Sequence, residues 1–211
     1  MYKIVFYITL FTGLLPLLFL FLRKKAFDKE HPAIPLLWLT AIGSLYEFIG
    51  TVLLQINSLY WFQLYPFLSF LTLYYLFFKL LKHNYKTLFR VLFILFIAVY
   101  LVSFFFFSDE NRFITTALNR IPIIIFVFTF TGLWFKNLFQ KMEEQNLLQN
   151  DNFYFITALI IYNASTLFLF IASNYIYNSN LYFLDFWIVN IIASLILRIL
   201  LCIGVWKMKQ D

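Results

Sequence analysis

Seven stretches of the chain consist almost wholly of apolar residues, and polar or charged positions bound each of them. A helix needs about 20 apolar residues to cross the hydrocarbon core of a bilayer, which is about 30 Å thick. The pattern therefore predicts an all-α polytopic membrane protein, a seven-transmembrane-helix bundle in which residues 1–211 form a single transmembrane helical domain. The predicted helices cover residues 4–22, 35–55, 62–81, 88–107, 114–135, 153–173 and 186–206.

The second apolar stretch, residues 35–55, differs from the others because a carboxylate, Glu47, lies well inside it. Its small and polar residues recur at steps of three and four positions, so a helix gathers them on one stripe. The stripe consists of Thr40, Gly43, Ser44, Glu47, Gly50 and Thr51. Such a stripe faces protein or water rather than lipid, so this helix is predicted to lie inside the bundle.

The basic residues are distributed unevenly between the two sets of loops. Alternate loops place one group on the same side of the membrane: Arg23, Lys24, Lys25, Lys29, Lys79, Lys82, Lys86, Arg90, Lys136, Lys141, Lys207 and Lys209. The other side has only Lys3 and Arg112, with Arg120 just inside the membrane. Because lysine and arginine collect in cytoplasmic loops, the asymmetry predicts an outer amino terminus and an inner carboxyl terminus. The expected location is the inner (cytoplasmic) membrane, with multiple passes.

The composition agrees with a membrane domain and argues against several other classes. The chain is 63% hydrophobic and 12% charged, with a mean hydropathy of +0.84. Its net charge of +6 comes from residues at the ends of apolar stretches, which indicates contacts with membrane lipids rather than with nucleic acid. The single Cys202 excludes an internal disulfide, and His31 and His83 lie in connections without the spacing of metal ligands. No metal site and no cofactor is predicted.

Polar residues within the predicted helices suggest a binding site. Glu47 lies about 12 Å below the outer end of the second helix, and Arg120 lies about 9 Å below the outer end of the fifth. Opposite charges at one depth are natural partners in a membrane. The predicted ligand-binding cluster is an outward-facing pocket of Glu47, Asn119, Arg120, Asn163 and Asn190, with Arg198 below it. The same groups could instead serve only to hold the helices together.

Known intramembrane chemistries do not fit these residues. A retinal protein needs a lysine in the middle of its last helix, where this chain has Arg198. A serine or cysteine nucleophile would need a nearby base, and no histidine lies at membrane depth. The sequence therefore does not favour an enzyme, and no catalytic residue is predicted. A lipid-modifying reaction at the outer leaflet with Glu47 as general base stays the least supported reading.

Short motifs extend across most of the chain in a pattern that resembles a known set of proteins. They are Leu45-Tyr46-Glu47, Phe153-Tyr154-Phe155-Ile156 with Tyr162-Asn163 following, and Trp187 with Asn190. With these motifs the chain resembles small seven-helix integral membrane proteins of Bacteroidota type, a set without an assigned activity. The resemblance implies a single-domain seven-helix fold and no particular chemistry.

Three functions agree with these observations. The first is a sensor or binding module that takes a small or amphiphilic ligand from outside and passes a helix shift to a membrane or cytoplasmic protein partner. The second is a transporter or ion-coupled carrier that uses Glu47 as its protonatable group. The third is an accessory subunit of a membrane complex, in which the polar groups serve assembly. The absence of an output domain and the outward polar cluster favour the first.

Overall fold

The computed structural model describes residues 2–23, 31–81, 84–108, 110–141, 147–179 and 183–208. Across these ranges the chain is helical and contains no strand. Within the described ranges, seven helices are long and apolar enough to cross a membrane. The prediction of an all-α chain with seven such helices is thus confirmed, and the structure indicates a multi-pass membrane protein. Lys24, Lys25, Lys29, Lys82, His83 and Lys209 lie outside the described residues.

The seven spans are built from eight α-helices and one π-helix. The elements are α1 (Tyr2–Thr12), α2 (Leu15–Leu22), α3 (Ile34–Tyr46), a π-helix (Glu47–Leu53), α4 (Leu59–Leu81), α5 (Lys86–Ser103), α6 (Arg112–Lys141), α7 (Asp151–Asn178) and α8 (Phe183–Lys207). Short 3₁₀ turns follow α5 at Phe104–Phe106 and precede α7 at Leu147–Gln149. Both α6 and α7 are longer than the apolar stretches that predicted them, because polar residues extend each helix past its apolar part.

The first span is interrupted, whereas its apolar pattern predicted one continuous helix. A turn at Gly13 and Leu14 separates α1 from α2. Pro16 has no backbone N–H to donate to the preceding turn, which explains why regular helix hydrogen bonding stops here. A side chain at Gly13 would overlap Ser44 Oγ and place its Cβ 3.1 Å from Cζ of Arg198. The interruption therefore lets the first span approach α3 and α8 closely.

Six of the spans form a closed ring. Helix α8 packs against α7 and against α1 and α2, while α2 packs against α3 and α3 against α4. The ring closes through contacts of α4 with α6 and of α6 with α7. Helix α5 lies outside it, against α4 and α6, and exposes a row of large apolar side chains. Of the polar residues of the second span, Thr40 and Ser44 are buried, Glu47 is half-buried and Thr51 is exposed.

Aromatic rings fill the contact between α4, α5 and α6. Phe70 stacks on Phe96 with ring centroids 3.8 Å apart, and Phe89 stacks on Phe130 at 3.9 Å. Phe126 contacts Phe70 edge-on, and all five rings are almost completely buried. Aromatic pairs contribute about 0.5–1.5 kcal/mol beyond the area they bury. Many of the thirty phenylalanines of the chain thus have a packing role that fixes the helices behind the polar site.

Two contacts tie the ends of the spans together on the face where α2 and α8 end. The Arg23 guanidinium donates to the carbonyl oxygens of Val205 and Met208, at 3.4 and 3.0 Å, and lies 4.6 Å from the Trp206 ring. Positive charge at a helix carboxyl terminus is favourable because unpaired carbonyls accumulate there. His31 Nε2 lies 3.0 Å from Asp151 Oδ2 and so joins the start of α3 to the start of α7.

Candidate functional site

Two neighbouring cavities lie inside the ring of helices. The smaller has a volume of about 140 Å³ and the larger about 260 Å³. Seven residues line both of them: Glu47, Trp61, Phe62, Trp187, Asn190, Ser194 and Arg198. Glu47 begins the π-helix, and Trp61 and Trp187 lie near the starts of α4 and α8. The cavities therefore lie toward the face at which α1 begins, which we call the amino-terminal face.

Glu47 has a position unlike that of an ordinary buried carboxylate. It lines both cavities, yet among the described residues no hydrogen bond or ion pair within 4.0 Å reaches its carboxylate. The guanidinium groups of Arg198 and Arg120 both attract its negative charge, and Arg198 does so more strongly. The sequence suggested Arg120 as its direct partner. The structure instead places the two in one cavity wall without contact.

Arg198 is held by the first span. It is buried, lines both cavities and donates a hydrogen bond from its guanidinium to the Thr9 carbonyl of α1. The same carbonyl also accepts the Gly13 N–H at 3.2 Å and the Thr12 hydroxyl at 2.8 Å, so the guanidinium adds a further donor to an acceptor at the end of α1. Thr9 gave no signal in the sequence, because its contribution is a backbone carbonyl oxygen, which every residue carries.

Arg120 is held by aromatic rings rather than by polar groups. Its guanidinium carbon lies 5.0 Å from the Phe170 ring centroid and 5.7 Å from that of Tyr65. Its Nε is buried and has no hydrogen-bond partner in the part of the chain that the structure describes. A guanidinium between two ring faces is attracted by both, and its donors stay available to a further group. Arg120 lines the smaller cavity only.

Two predicted asparagines also reach the cavities. Asn163 is buried, lines the smaller cavity and donates from Nδ2 to the Leu159 carbonyl at 2.8 Å. Asn190 lines both cavities, and its Oδ1 accepts a hydrogen bond from the Tyr162 hydroxyl at 3.2 Å. Both side chains thus have protein partners. The smaller cavity collects five of the predicted residues: Glu47, Arg120, Asn163, Asn190 and Arg198.

Asn119 does not belong to this group. It is fully buried, and its Nδ2 donates to Gln63 Oε1 at 3.0 Å, on the side of α6 that packs against α4. Gln63 Nε2 in turn donates to Ser103 Oγ at 2.8 Å, and Ser103 donates to the Tyr100 carbonyl. These residues form a buried amide network that joins α4, α5 and α6. Neither cavity is lined by Asn119.

The second span changes its helical hydrogen bonding at Glu47. From Glu47 to Leu53 it is a π-helix, which ends where Ile56 N–H donates to the Gly50 carbonyl and Gln55 adopts a left-handed φ of 51°. A π-helix is rare and is frequently found at functional sites, and the extra residue in its turn displaces the backbone from the regular ladder. Here it displaces the backbone next to the unpaired carboxylate.

Two tryptophans belong to the cavity wall. Trp61 lines both cavities and is stacked on Tyr46 with centroids 4.2 Å apart. Trp187 also lines both cavities, and it contacts the Phe170 ring that also lies against Arg120. The site thus combines three charged groups with an aromatic wall.

Comparison of the chain with models of known protein families, with curated proteins and with solved structures finds no match in any of the three. The site is therefore interpreted from its own chemistry. Among the described residues no group of three or more histidine, cysteine, aspartate or glutamate side chains could hold a metal ion. Two guanidiniums and one carboxylate around a cavity are suited to binding a charged molecule.

Proposed function

We propose that the protein is a membrane binding module that takes a small ligand with a negatively charged group into the cavity lined by Glu47, Arg120 and Arg198. The observation that carries the proposal is that the Arg120 guanidinium lacks a polar partner among the described residues. This guanidinium lines the smaller cavity, and no hydrogen bond or ion pair to a described residue occupies its donors. A cation at membrane depth costs about 2.5–3.5 kcal/mol on insertion scales, so a bound anion would offset part of that cost.

The balance of charge supports an anion. Two positive side chains and one negative side chain line the smaller cavity, which leaves one positive charge uncompensated. Arginine also presents donors in a planar fork that matches carboxylate and phosphate oxygens. The ligand class we propose is thus a small carboxylate or phosphate, with an apolar part that the aromatic wall can contact.

The side from which the ligand enters follows from the orientation that we propose. The described basic residues near the ends of the spans favour a cytoplasmic location for the face opposite the cavities: Arg23, Lys79, Lys86, Arg90, Lys136 and Lys207. The cavities would then open toward the outside of the cytoplasmic membrane. A ligand-dependent shift of the π-helix or α8 is the signal that we propose a partner detects.

Thermal unfolding of the purified protein tests the proposal. Inorganic phosphate and acetate should raise the unfolding midpoint of the wild-type chain in a concentration-dependent way. Arg120→Gln should abolish the rise. Arg112→Gln is the matched control, since Arg112 is on the same helix and also lies near aromatic rings but lines neither cavity. The proposal is wrong if no probe with a carboxylate or phosphate group stabilises the wild type, or if Arg120→Gln responds as the wild type does.

A proton-coupled carrier is the second candidate, and one observation favours it. Glu47 lines both cavities and begins the π-helix, and the turn at Gly13 lies against Ser44 and Arg198. Discontinuous helices around an ionisable residue are common at the substrate sites of transporters. Proteoliposomes with an inside pH dye distinguish the candidates. Anion-driven proton flux that disappears in Glu47→Gln supports the carrier, and binding without flux supports the binding module.

A further inference from the structure

The carboxylate of Glu47 is left open for a positive group. It lines both cavities, and within the described chain it forms no hydrogen bond and no ion pair. Arg198 would be its natural partner, but the Arg198 guanidinium donates instead to the Thr9 carbonyl. If Glu47 served only to neutralise an arginine, direct contact would be the more favourable arrangement in a low dielectric. Glu47 and both guanidiniums instead line the smaller cavity without an ion pair between them, so a group bound in the cavity can contact each of them.

Aromatic residues line the same cavities as this carboxylate. Trp61 and Trp187 line the same two cavities as Glu47, and Trp61 is fixed by its stack on Tyr46. A carboxylate together with tryptophan faces is the set of groups that binds an organic ammonium, because the ring face carries negative charge density. The carboxylate end of the site therefore differs chemically from the Arg120 end.

The two ends occupy different parts of the cavities. Arg120 lines the smaller cavity alone, whereas Glu47 and the two tryptophans lie where the smaller and larger cavities share their walls. The larger cavity continues to Thr51, an exposed residue of the π-helix. A ligand can thus place its anionic group at Arg120 and its ammonium at Glu47, with any remaining part directed into the larger cavity.

We infer that the ligand of this site is a zwitterion, with an oxyanion bound at Arg120 and an ammonium group bound at Glu47 between Trp61 and Trp187. The inference rests on the proposed function and specifies the ligand class of the same site. A simple anion would meet the repulsion of Glu47, and a simple cation would meet that of two arginines. Only a molecule with both charges satisfies each end. A free amino acid or amino phosphate and a zwitterionic lipid headgroup share this chemistry.

Two matched pairs of probes test the inference on the full chain in detergent. Glycine is acetate with an ammonium group added, and phosphoethanolamine is phosphate that carries an ammonioethyl ester group. In each pair the zwitterion should bind the wild type at least tenfold more tightly in thermal-shift titrations. Glu47→Gln should weaken both zwitterions by at least tenfold and should strengthen acetate and phosphate. A merely structural role of Glu47 would change all four affinities in the same direction.

The control for this charge removal is Glu110→Gln, an exposed glutamate in the turn before α6, which should change no affinity. The inference is overturned if the two members of each pair bind equally and Glu47→Gln does not change their affinities. Anion binding at Arg120 would still stand in that case. Absence of binding by all four probes overturns both the inference and the proposed function.

The source of the zwitterion is resolved by repeating the titration in nanodiscs. Phosphatidylethanolamine nanodiscs are compared with phosphatidylglycerol nanodiscs, which lack the ammonium group. If the lipid headgroup occupies the site, phosphatidylethanolamine alone raises the unfolding midpoint, by an amount that Glu47→Gln removes, and added phosphoethanolamine has no further effect. If the ligand is a soluble molecule, phosphoethanolamine stabilises the chain equally in both lipids. Either result supports a zwitterion at Glu47.

Discussion

Asn119 and Arg120 are neighbours in the chain, but they serve different parts of the molecule. Successive residues of a helix point about 100° apart, so adjacent polar residues cannot share one face. Arg120 lies against Phe170 of α7, whereas Asn119 bonds to Gln63 of α4. The sequence could predict that both residues avoid lipid. Which of two interior surfaces each one meets depends on the neighbours of α6, and the sequence carries no such information.

The amide network around Gln63 is predicted to contribute stability and not binding. Gln63→Leu removes the acceptor of the Asn119 amide and the donor to Ser103. A buried amide left without a partner costs about 1–3 kcal/mol, so the free energy of unfolding should fall by that amount. Equilibrium unfolding in mixed micelles measures it. Ligand affinity at the Arg120 cavity should stay unchanged.

Exposed Gln140 of α6 provides the control, because Gln140→Leu removes no described hydrogen bond. The double variant Gln63→Leu/Asn119→Leu should be less destabilised than the sum of the two single changes, since it leaves no amide unpaired. A change of ligand affinity in Gln63→Leu would contradict the separation of the network from the site.

Gly13 and Gly132 should respond in opposite ways to alanine. At Gly13 the added Cβ overlaps Ser44, so Gly13→Ala should destabilise the chain by about 1–3 kcal/mol, as other overpacked sites do. At Gly132 no atom lies within 4 Å of an added Cβ, and Gly132→Ala should stabilise α6 by up to about 1 kcal/mol. Unfolding free energies compare the two. Addition of Ser44→Gly should relieve the Gly13→Ala defect, and failure of this rescue would contradict the close approach.

At the scale of the elements, the apolar pattern predicted the seven spans well and their irregularities poorly. Amino-acid composition does not distinguish a π-helix from an α-helix. The stripe that ends at Gly50 and Thr51 fits the three- and four-residue steps of an α-helix along its whole length. The interruption at Gly13 had a visible sign in Pro16. An apolar stretch of that length nevertheless favours one helix, because a spanning helix tolerates proline when neighbours satisfy the freed backbone groups.

The π-helix is predicted to tolerate a deletion that the preceding α-helix does not. Removal of Ile49 lets the remaining residues close regular i→i+4 bonds, so we expect a loss below about 1 kcal/mol. Removal of Ile42 from α3 turns Glu47 by about 100°, away from Arg198 and toward lipid. Insertion scales then predict a loss of about 2.5–3.5 kcal/mol. Equilibrium unfolding of the two deletion variants gives both values.

The two deletions are well matched, because Ile42 and Ile49 are exposed to 47% and 46%, so neither deletion removes a core side chain. Equal destabilisation by the two would mean that the π-helix is as register-sensitive as an α-helix. In that case the irregular hydrogen bonding of the π-helix would not explain where Glu47 lies.

At the scale of the whole molecule, the arrangement of helices could not be derived from the sequence. Helix count and the depth of polar residues follow from hydropathy and rise per residue. The order of neighbours does not, because many side chains that face lipid and many that face another helix are equally apolar here. The structure alone shows that α5 lies outside the ring and that α1, the second span, α4, α6, α7 and α8 surround the site.

The orientation of the ring is a prediction with a direct test. In a Cys202→Ser background, Glu110→Cys lies near the amino-terminal face and Asn84→Cys near the opposite face. Because the basic residues favour a cytoplasmic location for the second face, a membrane-impermeant maleimide should label only Glu110→Cys in intact spheroplasts. Both variants should react after lysis. Labelling of Asn84→Cys alone would show that the orientation is the reverse of the predicted one, with cavities that open to the cytoplasm.

The contact between the first and last spans has a consequence for the order of synthesis. Helices α1 and α2 pack chiefly on α8, which is synthesised after the other helices of the ring. The bond from Arg198 to Thr9 and the bonds from Arg23 to Val205 and Met208 therefore form only after α8 has been synthesised. Before that, α1 and α2 lack their main packing partner, and the cluster of Glu47, Arg120 and Arg198 lacks Arg198. The arrival of α8 thus closes the ring and assembles the site in a single late step.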